Sequence, residues 1–558
     1  MEAFPERSES SGKADTGEMA IAKTIEAPEW VDSGSQLTGG LDLLGLRNPV
    51  QTIGGALIDG VTTVSPSIRY IGLRAWLIHR YAESRRPDSW RHFTIFAGYA
   101  ESALVLGNLS KGRNIYGLIG ADEGVVRLDE SSVAVKLSAL VKTPAATVYA
   151  GPSDQLGVSW VRDDKVPGLT SERGKRLALV VDETLGKIPL VGKMFTDHPP
   201  DEASRDELNE LGEAARIDRI PGIERETLLA AVMPEKPLAK ERARIGTYAA
   251  LLLLAKQKGA MPMEADVFNA ACSQKRFGEP LLDSVADGWL TYCVRDAIAV
   301  SHEAVLAAVI NEVTLGAENP ESGIENSTVV GELVARAEEH DAPMRDLKLL
   351  GSGESVLDLS FRDFYTRVEK LLQPDLKRER GISRWTASLS EPELYNAARR
   401  AGAGALSLAV LSWIVATIRV GDAVRENIVE FGNLSYQGRR RLGMREVILP
   451  EIARLLRDDP PFRNVAAAFA YQIVQQHLQI AWSRLQVDLQ RDVALLTAEG
   501  RRWYSRGKDY GGGRTLSRLP QAVGWMQQLG LLDANGTTAD GDFVLARALK
   551  ILSGGMTA

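Results

Sequence analysis

Cysteine and histidine are scarce in this chain, which has two cysteines and six histidines among 558 residues. Two cysteines cannot build a disulfide framework or supply a zinc site alone, so they indicate a reducing compartment such as the cytoplasm. The histidines are scattered, and neither an H-E-x-x-H pattern nor a Ser-His-Asp set can be assembled from the sequence. The sequence therefore predicts no catalytic residue, no metal site and no cofactor.

Uncharged runs are also few. Positions 401–418 form a run of 18 residues without a charge, which just reaches the length of a membrane-spanning helix. The run is rich in Ala, Gly and Ser, so a buried helix of a soluble bundle is the favoured interpretation. The N-terminus lacks a basic region followed by an apolar core, so no signal peptide is expected. The sequence predicts a cytoplasmic protein without a membrane partner.

The acidic charge of the chain is concentrated at one end. The formal net charge is −7, and residues 1–35 alone carry eight acids and three bases. The rest of the chain is therefore close to neutral, and its net charge does not exclude nucleic-acid binding by one face. The polar, acidic composition of residues 1–38 predicts a disordered tail.

The stretch at positions 41–80 has the clearest pattern in the chain. A first amphipathic helix is expected at Pro49–Leu57 and is ended near Gly60, because glycine adopts the left-handed conformation without strain. Ser65-Pro66 is typical of a helix start. The second helix has an apolar stripe whose members are expected to be buried. They are Ile68, Leu73, Trp76 and Leu77, and Arg69, Arg74 and Arg80 lie off the stripe or at its edge.

Helical periodicity dominates the remaining sequence, and the length suits about three to four domains. The sequence predicts a mainly α, multi-domain protein with small β-hairpin wings. We place an N-terminal helical domain with a β-hairpin at 39–190, a central helical domain at 191–345, a helical bundle at 346–495 and a winged-helix-like unit at 496–558.

Three segments of the N-terminal domain carry local signals. Positions 131–141 (SSVAVKLSALV) predict a helix with a serine cap, and positions 147–149 and 158–161 predict two strands. Positions 177–183 (LALVVDE) resemble a strand ending in paired acids that could bind magnesium. No phosphate-binding loop precedes them, so a helix at 173–184 is favoured over an ATPase site.

A capping pattern occurs three times, at 169–178, 496–502 and 537–545. In each copy a threonine is placed to cap a helix, and an acid lies in the positive first turn. The third copy follows a predicted helix at 517–529 and a strong hairpin turn at 533–536. Helix, hairpin and capped helix form the second half of a winged helix, which we predict for the C-terminal unit. The alternative is a plain helical cap with a surface hairpin.

Several short motifs lie in the first 120 residues. They are LDLLGL at 41–46, LIDGVT at 57–62, IRY at 68–70 and GLIG at 117–120. Together they resemble the opening of an uncharacterised group of bacterial proteins from anti-phage defence and mobile-element loci, over about residues 39–310. The chain departs from the group's pattern at Asp59, where proline is usual. The resemblance implies a defence complex with partners such as an ATPase or nuclease, and it assigns no catalytic residue.

Basic side chains cluster near the C-terminus, where positions 499–518 contain six bases and two acids with three interleaved aromatic residues. Such a patch can neutralise phosphates and offer stacking faces, although a solvated helix surface is the alternative. The residues predicted to bind nucleic acid are Arg439, Arg440, Arg441, Arg501, Arg502, Trp503, Arg506, Lys508, Arg514 and Arg518.

The sequence as a whole predicts a non-enzymatic DNA-binding or scaffolding subunit of a bacterial anti-phage defence system. Two alternatives stay open. One is a nuclease or nucleotide hydrolase whose site is assembled from distant residues. The other is a protein-only adaptor that bridges partner subunits without contacting DNA.

Overall fold

The computed structural model describes residues 42–131, 133–271, 276–317, 322–376, 405–426, 442–487, 494–506, 510 and 513–554. Helices dominate this part of the chain and the strands form only small antiparallel sheets, which confirms the predicted mainly α class. The predicted tail at 1–38 lies outside the described residues.

Helices occupy most of the described length. They are α1 (Arg47–Leu57), α2 (Arg69–Glu83), α3 (Trp90–Lys111), α4 (Ala121–Glu130), α5 (Ala145–Val148), α6 (Ala150–Gln155), α7 (Gly174–Leu185), α8 (Pro189–Met194), α9 (Arg205–Ala214), α10 (Gly222–Val232), α11 (Arg242–Lys258), α12 (Glu264–Ala271), α13 (Asp283–Gly316), α14 (Asn326–Ala335), α15 (Asp341–Asp346), α16 (Phe361–Leu376), α17 (Ala405–Glu426), α18 (Leu449–Asp458), α19 (Phe462–Val487), α20 (Leu519–Gln528) and α21 (Ala539–Ser553).

The strands are short and every pairing is antiparallel. They are β1 (Ala134–Lys136), β2 (Ser159–Trp160), β3 (Gly168–Leu169), β4 (Glu202–Ser204), β5 (Ile324–Glu325), β6 (Leu496–Glu499), β7 (Arg502–Ser505), β8 (Leu532–Asp533) and β9 (Gly536–Thr537). Strand β1 pairs with β4, β2 with β3 and β8 with β9, while β7 lies between β5 and β6.

The buried apolar side chains form two cores. The first core takes its side chains from Val50–Tyr292 and again from Leu519–Leu552. The second core takes them from Leu43–Leu46 and from Val294–Trp503. The change from one core to the other falls inside α13, a helix of 34 residues that is about 51 Å long. The C-terminal helices therefore close the core that the N-terminal helices begin.

The structure describes the uncharged run at 401–418 from Ala405 onward, where α17 begins. Its side chains from Ala405 to Val415 are buried in the second core, as predicted for a helix of a bundle. No described helix combines the length and the apolar composition that a bilayer crossing requires.

The opening stretch folds largely as predicted. Helix α1 is followed by Gly60 in the left-handed conformation, with φ of 81°. Trp76 is fully buried, together with the rest of its stripe. The second helix begins at Arg69 instead of Ser65, because the Ser65 hydroxyl accepts from the Thr62 amide at 2.8 Å and donates to the Thr62 carbonyl at 2.9 Å. These bonds hold Ser65 in a turn.

The helix predicted at 131–141 is wrong, since the described part of this segment contains strand β1. Val135 and Leu137 are fully buried, whereas the intervening Lys136 is exposed. This alternation has the period of a strand, and β1 finds its partner in β4, which lies far along the chain.

The strand predicted at 147–149 is also wrong, because Thr147 and Val148 belong to helix α5 and Tyr149 is the turn residue that follows it. The Glu101 carboxylate accepts the Ala145 amide at 2.5 Å and the Ala146 amide at 2.6 Å. These two amides begin the helix and have no partner within it. A buried carboxylate from α3 thus stabilises a helix that the local sequence does not favour.

Two of the three predicted capping patterns are found at helix starts. Thr538 accepts the Gly541 amide at 3.1 Å before α21, and Thr170 accepts the Gly174 amide at 3.0 Å where α7 begins. The copy at 496–502 is wrong, since it forms the hairpin of β6 and β7 with Gly500 in a left-handed turn. The favoured helix at 173–184 is confirmed as α7.

Candidate nucleic-acid interface

The β6–β7 hairpin carries three of the arginines that are predicted to bind nucleic acid. Arg501 and Arg502 lie at its tip, beside Gly500, and both side chains are exposed. Arg506 lies at the base, where its amide donates to the Leu495 carbonyl at 3.1 Å. A hairpin with arginines at both ends can follow a phosphate backbone.

Two acids offset the charge of Arg502. Its position on β7 lies directly opposite Glu499 on β6 and Glu325 on β5. Directly opposed side chains in a sheet have Cβ atoms about 4.5–5.5 Å apart, close enough for an attractive charge pair. The Arg502 Nη1 also donates to the Ser322 carbonyl at 2.5 Å. Arg502 therefore contributes less to the positive potential of the hairpin than an isolated arginine would.

Trp503 faces inward from the same hairpin. Its side chain is only 4% exposed and belongs to the second core. The indole lies edge-on to Tyr471, with ring centroids 5.7 Å apart. A nucleobase could stack on Trp503 only if the hairpin left this core, so the structure does not offer the stacking face that the sequence suggested.

Arg514 binds an acid inside the protein. Its Nε donates to Asp296 Oδ2 at 3.1 Å, and the Thr515 amide donates to Asp296 Oδ1 at 2.8 Å. The guanidinium also lies over the Phe268 ring, 5.5 Å from its centroid. Burial raises the pKa of Asp296, and the neighbouring Arg514 opposes that rise. Arg514 thus compensates a buried carboxyl on α13.

Arg518 lies just before α20 and packs against α1. Its Nη1 atom is 3.6 Å from the position that a Cβ would occupy at Gly55. Burial lowers the pKa of the Arg518 guanidinium. Arg518 therefore lies where the N-terminal part of the first core, at α1, meets its C-terminal part, at α20.

The predicted basic patch is divided into two parts by α13. Arg514 contacts this helix at Asp296, whereas the hairpin contacts it through Thr314, whose hydroxyl donates to Ser505 at 2.7 Å. Eighteen residues of helix separate these two points, which corresponds to about 27 Å. Exposed charges that far apart are largely screened from each other at physiological salt. The described arginines of the two parts therefore do not form one electrostatic patch.

The C-terminal unit contains the predicted helix, hairpin and capped helix, but α20 is docked inside the protein. The Trp525 indole donates to the Ser65 carbonyl at 2.8 Å, and Trp525 is fully buried. Gln528 Oε1 accepts the Ile68 amide at 2.9 Å and the Ser67 hydroxyl at 3.1 Å. A winged helix that read DNA with α20 would need these side chains free. The winged-helix assignment stays a prediction, and α20 serves packing.

Four predicted residues lie outside the described part of the chain. They are Arg439, Arg440, Arg441 and Lys508. Within the described residues, no group of three or more His, Cys, Asp or Glu side chains is arranged to hold a metal ion.

The sequence reasoning missed the buried charges of the opening stretch. Arg69 is fully buried, and its Nε and Nη2 donate to the Glu224 carboxylate at 3.1 and 3.0 Å. The same guanidinium donates to the carbonyls of Ala214, Arg216 and Arg219. The arginine beside an apolar helical stripe was the available signal of a buried ion pair. Its acid partner could not be identified from the sequence, because Glu224 lies 155 residues away.

A second missed pair joins the two cores. Arg47 donates through Nε and Nη2 to the Glu303 carboxylate at 2.6 and 2.5 Å. The Gly513 amide donates to Glu303 Oε2 at 3.2 Å. Glu303 is fully buried in the middle of α13, so one carboxylate connects the opening stretch with the loop before α20.

No family model matches this chain, and neither the curated proteins nor the solved structures include a significant match to it.

Proposed function

We propose that this chain is a non-enzymatic scaffolding subunit of a bacterial anti-phage defence system. The observation that carries this proposal is that ion pairs inside the protein join segments that are far apart in the sequence. Arg47 binds Glu303, and Arg69 binds Glu224. Satisfied buried polar networks favour a single rigid arrangement, which suits a chain that holds partners in fixed positions. The motifs of residues 39–310 support the defence context.

Exposed aromatic side chains are candidates for partner contacts. Trp482 on α19 is 63% exposed, and Phe543 on α21 is 69% exposed. Tryptophan and phenylalanine are enriched at protein interfaces, where they bury a large area when a partner binds. One lies on an element of each core, so they could engage different subunits.

The scaffolding proposal predicts stable complexes. The chain should co-elute in size-exclusion chromatography with at least one protein encoded beside its gene. Trp482→Ala or Phe543→Ala should weaken one such complex, because truncating a central aromatic contact costs about 2 kcal/mol or more. Ile95→Ala is a matched control at another exposed apolar position. The proposal would be refuted if the chain eluted as a monomer when mixed with each of the neighbouring gene products. It would also be refuted if the pure chain cleaved plasmid DNA in the presence of Mg²⁺.

DNA contact by the hairpin is the second candidate function, supported by the exposed Arg501 at its tip and Arg506 at its base. The double variant Arg501→Glu/Arg506→Glu should lose most affinity for labelled DNA in fluorescence anisotropy. For every phosphate that the variant no longer neutralises, the log–log salt slope should decrease by about 0.9 on duplex DNA and about 0.7 on single strands.

Arg113→Glu is the control for that experiment, since Arg113 is exposed and lies on the first core, away from the hairpin. Arg514 and Arg518 are unsuitable, because Arg514 is paired with the buried Asp296 and Arg518 packs against α1 at Gly55. Absence of binding at low salt, or equal binding by the double variant, would leave scaffolding as the only proposed role.

A further inference from the structure

We propose that the acidic segment at positions 26–32 binds in cis to the β6–β7 hairpin, where it neutralises Arg501 and Arg506. The acidic segment precedes the described part of the chain. Its three acids are Glu26, Glu29 and Asp32. The proposal rests on neither of the proposed functions, because it concerns a contact within one molecule and requires no DNA and no partner subunit.

The chain enters the described structure beside the base of the hairpin. The Leu43 carbonyl lies 3.2 Å from His477 Nδ1, and the Leu495 amide donates to Nε2 of the same imidazole at 3.1 Å. The Arg506 amide in turn donates to the Leu495 carbonyl at 3.1 Å. A single histidine ring therefore separates the opening residues from the base of the hairpin, where Arg506 lies.

Asp42, the first described residue, is held on α19. Its carbonyl accepts from the buried Arg484 at 2.7 Å, and its carboxylate accepts the Arg47 and Asn48 amides at 3.2 and 3.1 Å. Arg484 follows His477 by seven residues, which corresponds to about 11 Å along the helix. The acidic segment is therefore tethered at a defined point, about 11 Å from the base of the hairpin.

The tether between the acidic segment and this point is short. Ten residues separate Asp32 from Asp42, and sixteen separate Glu26 from Asp42. Five of the eight residues at positions 33–40 are Gly or Ser, which is the composition of a linker. Chains of such composition have an average end-to-end distance of about 17 Å over ten residues and about 22 Å over sixteen.

The two arginines lie within these distances. Arg506 is at the base of the hairpin, and Arg501 is at the tip, three residue steps or about 10 Å further away. Asp32 can therefore reach Arg506, and Glu26 can reach Arg501 about 21 Å from the tether point. Binding within one molecule is strongest when the average length of the tether matches the distance to be spanned.

The charges of the two segments are complementary. Positions 24–35 carry three acids and no base, whereas positions 494–506 carry three arginines and one acid. Glu325 on β5 offsets a further charge at Arg502, so the exposed Arg501 and Arg506 are the targets. One exposed ion pair contributes little. A tether, however, gives the acidic segment an effective concentration on the order of 1 mM, which makes partial occupancy by a few such pairs possible.

The test is limited proteolysis of the full chain with chymotrypsin, followed by intact-mass spectrometry. Chymotrypsin cleaves after Trp30, which lies inside the acidic segment. The measured quantity is the rate of this cleavage at about 0.02 M salt divided by the rate at about 0.5 M salt, because salt screens exposed ion pairs. The docked segment cannot enter the protease, so low salt should slow the cleavage.

The hairpin variant Arg501→Glu/Arg506→Glu gives the rate ratio without the contact. The ratio of the wild type should be about threefold lower than that of this variant. Arg85→Glu/Arg91→Glu is the matched control, since it reverses two exposed arginines of the first core, and it should retain the wild-type ratio. Adding Glu26→Lys and Glu29→Lys to the hairpin variant should restore the low ratio, which a hairpin that had merely unfolded could not do.

A variant of the acidic segment alone leaves every described residue unchanged. Glu26→Gln/Glu29→Gln/Asp32→Asn should have the ratio of the hairpin variant. The proposal is overturned if the wild type and the hairpin variant respond equally to salt, or if the exchange of charges does not restore the low ratio. Slowing that increases with protein concentration would assign the contact to a second copy and would also overturn binding in cis. No nucleic acid is present, so the result is independent of the DNA experiment.

Discussion

Replacing Arg69 with methionine should lower the free energy of unfolding by about 3–5 kcal/mol, because removing one partner leaves a buried charge uncompensated. Glu224 would lose both donors of its bidentate pair, and the three carbonyls that Arg69 satisfies would be left without it. Urea denaturation followed by tryptophan fluorescence measures the change, and the slope of the transition shows whether the same surface is exposed.

Two further variants show whether the pair itself causes this loss. Arg216→Met removes an arginine whose partner, Asp218, is a partly exposed neighbour, so it should cost only about 0–1 kcal/mol. The double variant Arg69→Met/Glu224→Leu removes both buried charges and should recover part of the loss. If Arg69→Met were as stable as Arg216→Met, the buried pair would not stabilise the first core.

Raising the pH from about 5 to about 8 should destabilise the wild type more than Glu101→Gln. Burial raises the pKa of Glu101 to about 7 from the ordinary 4.5, against the two amides that favour the ionised form. In this interval the folded state holds a proton that the unfolded chain has released, so stability falls as the pH rises. The difference corresponds to about 3 kcal/mol, fully present below the unfolded pKa and lost through the folded one.

Thermal unfolding of both proteins across this pH range tests the assignment to Glu101. Other buried acids, such as Asp296 and Glu303, titrate in both proteins and cancel in the comparison. Glu130→Gln, at an exposed position, should follow the wild-type pH profile. A Glu101→Gln profile parallel to that of the wild type would mean that the Glu101 carboxyl titrates near its ordinary value.

Sequence periodicity was sufficient for the second helix of the opening stretch, where burial decides the structure. The stripe that includes Trp76 predicted a buried helix face, and Trp76 is buried with its indole donating to Asp182 at 2.8 Å. Periodicity could not show that Arg69 is buried too, because a charged side chain enters a core only with a partner. That partner, Glu224, belongs to a helix that local sequence cannot place beside α2.

Tertiary contacts also explain the local errors. Positions 147–149 have strand-forming residues, yet the Glu101 carboxylate supplies the contacts for a helix start. Positions 496–502 have a threonine and an acid at capping spacing, but Gly500 turns the chain so that Trp503 enters the second core. Capping residues and turn residues overlap in type, so the packing of one apolar side chain decides between them.

The candidate interface shows that sequence spacing alone does not place charged side chains on one surface. The sequence spacing of Arg501 and Arg514 suggested one basic patch, because only 13 positions separate them. Arg514 contacts α13 at Asp296, and the hairpin that carries Arg501 contacts α13 through Ser505 at a point about 27 Å along the helix. A run of bases in sequence is a surface patch only when the chain keeps it on one face.

The first core is discontinuous in sequence. Helix α11 and the loop around Ser65 bind side chains and carbonyls of α20 and α21, which are synthesised last. At about 5–20 residues per second, a ribosome needs roughly ten to fifty seconds to make the intervening segment. During that time the nascent protein exposes the apolar faces that α20 and α21 later cover. Among the described residues, the buried members of the second core end at Trp503 and Tyr510 packs against it, so this core can be completed before α20 and α21 are made. Synthesis therefore allows the second core to form before the first core, whose side chains come from both sides of it in the sequence.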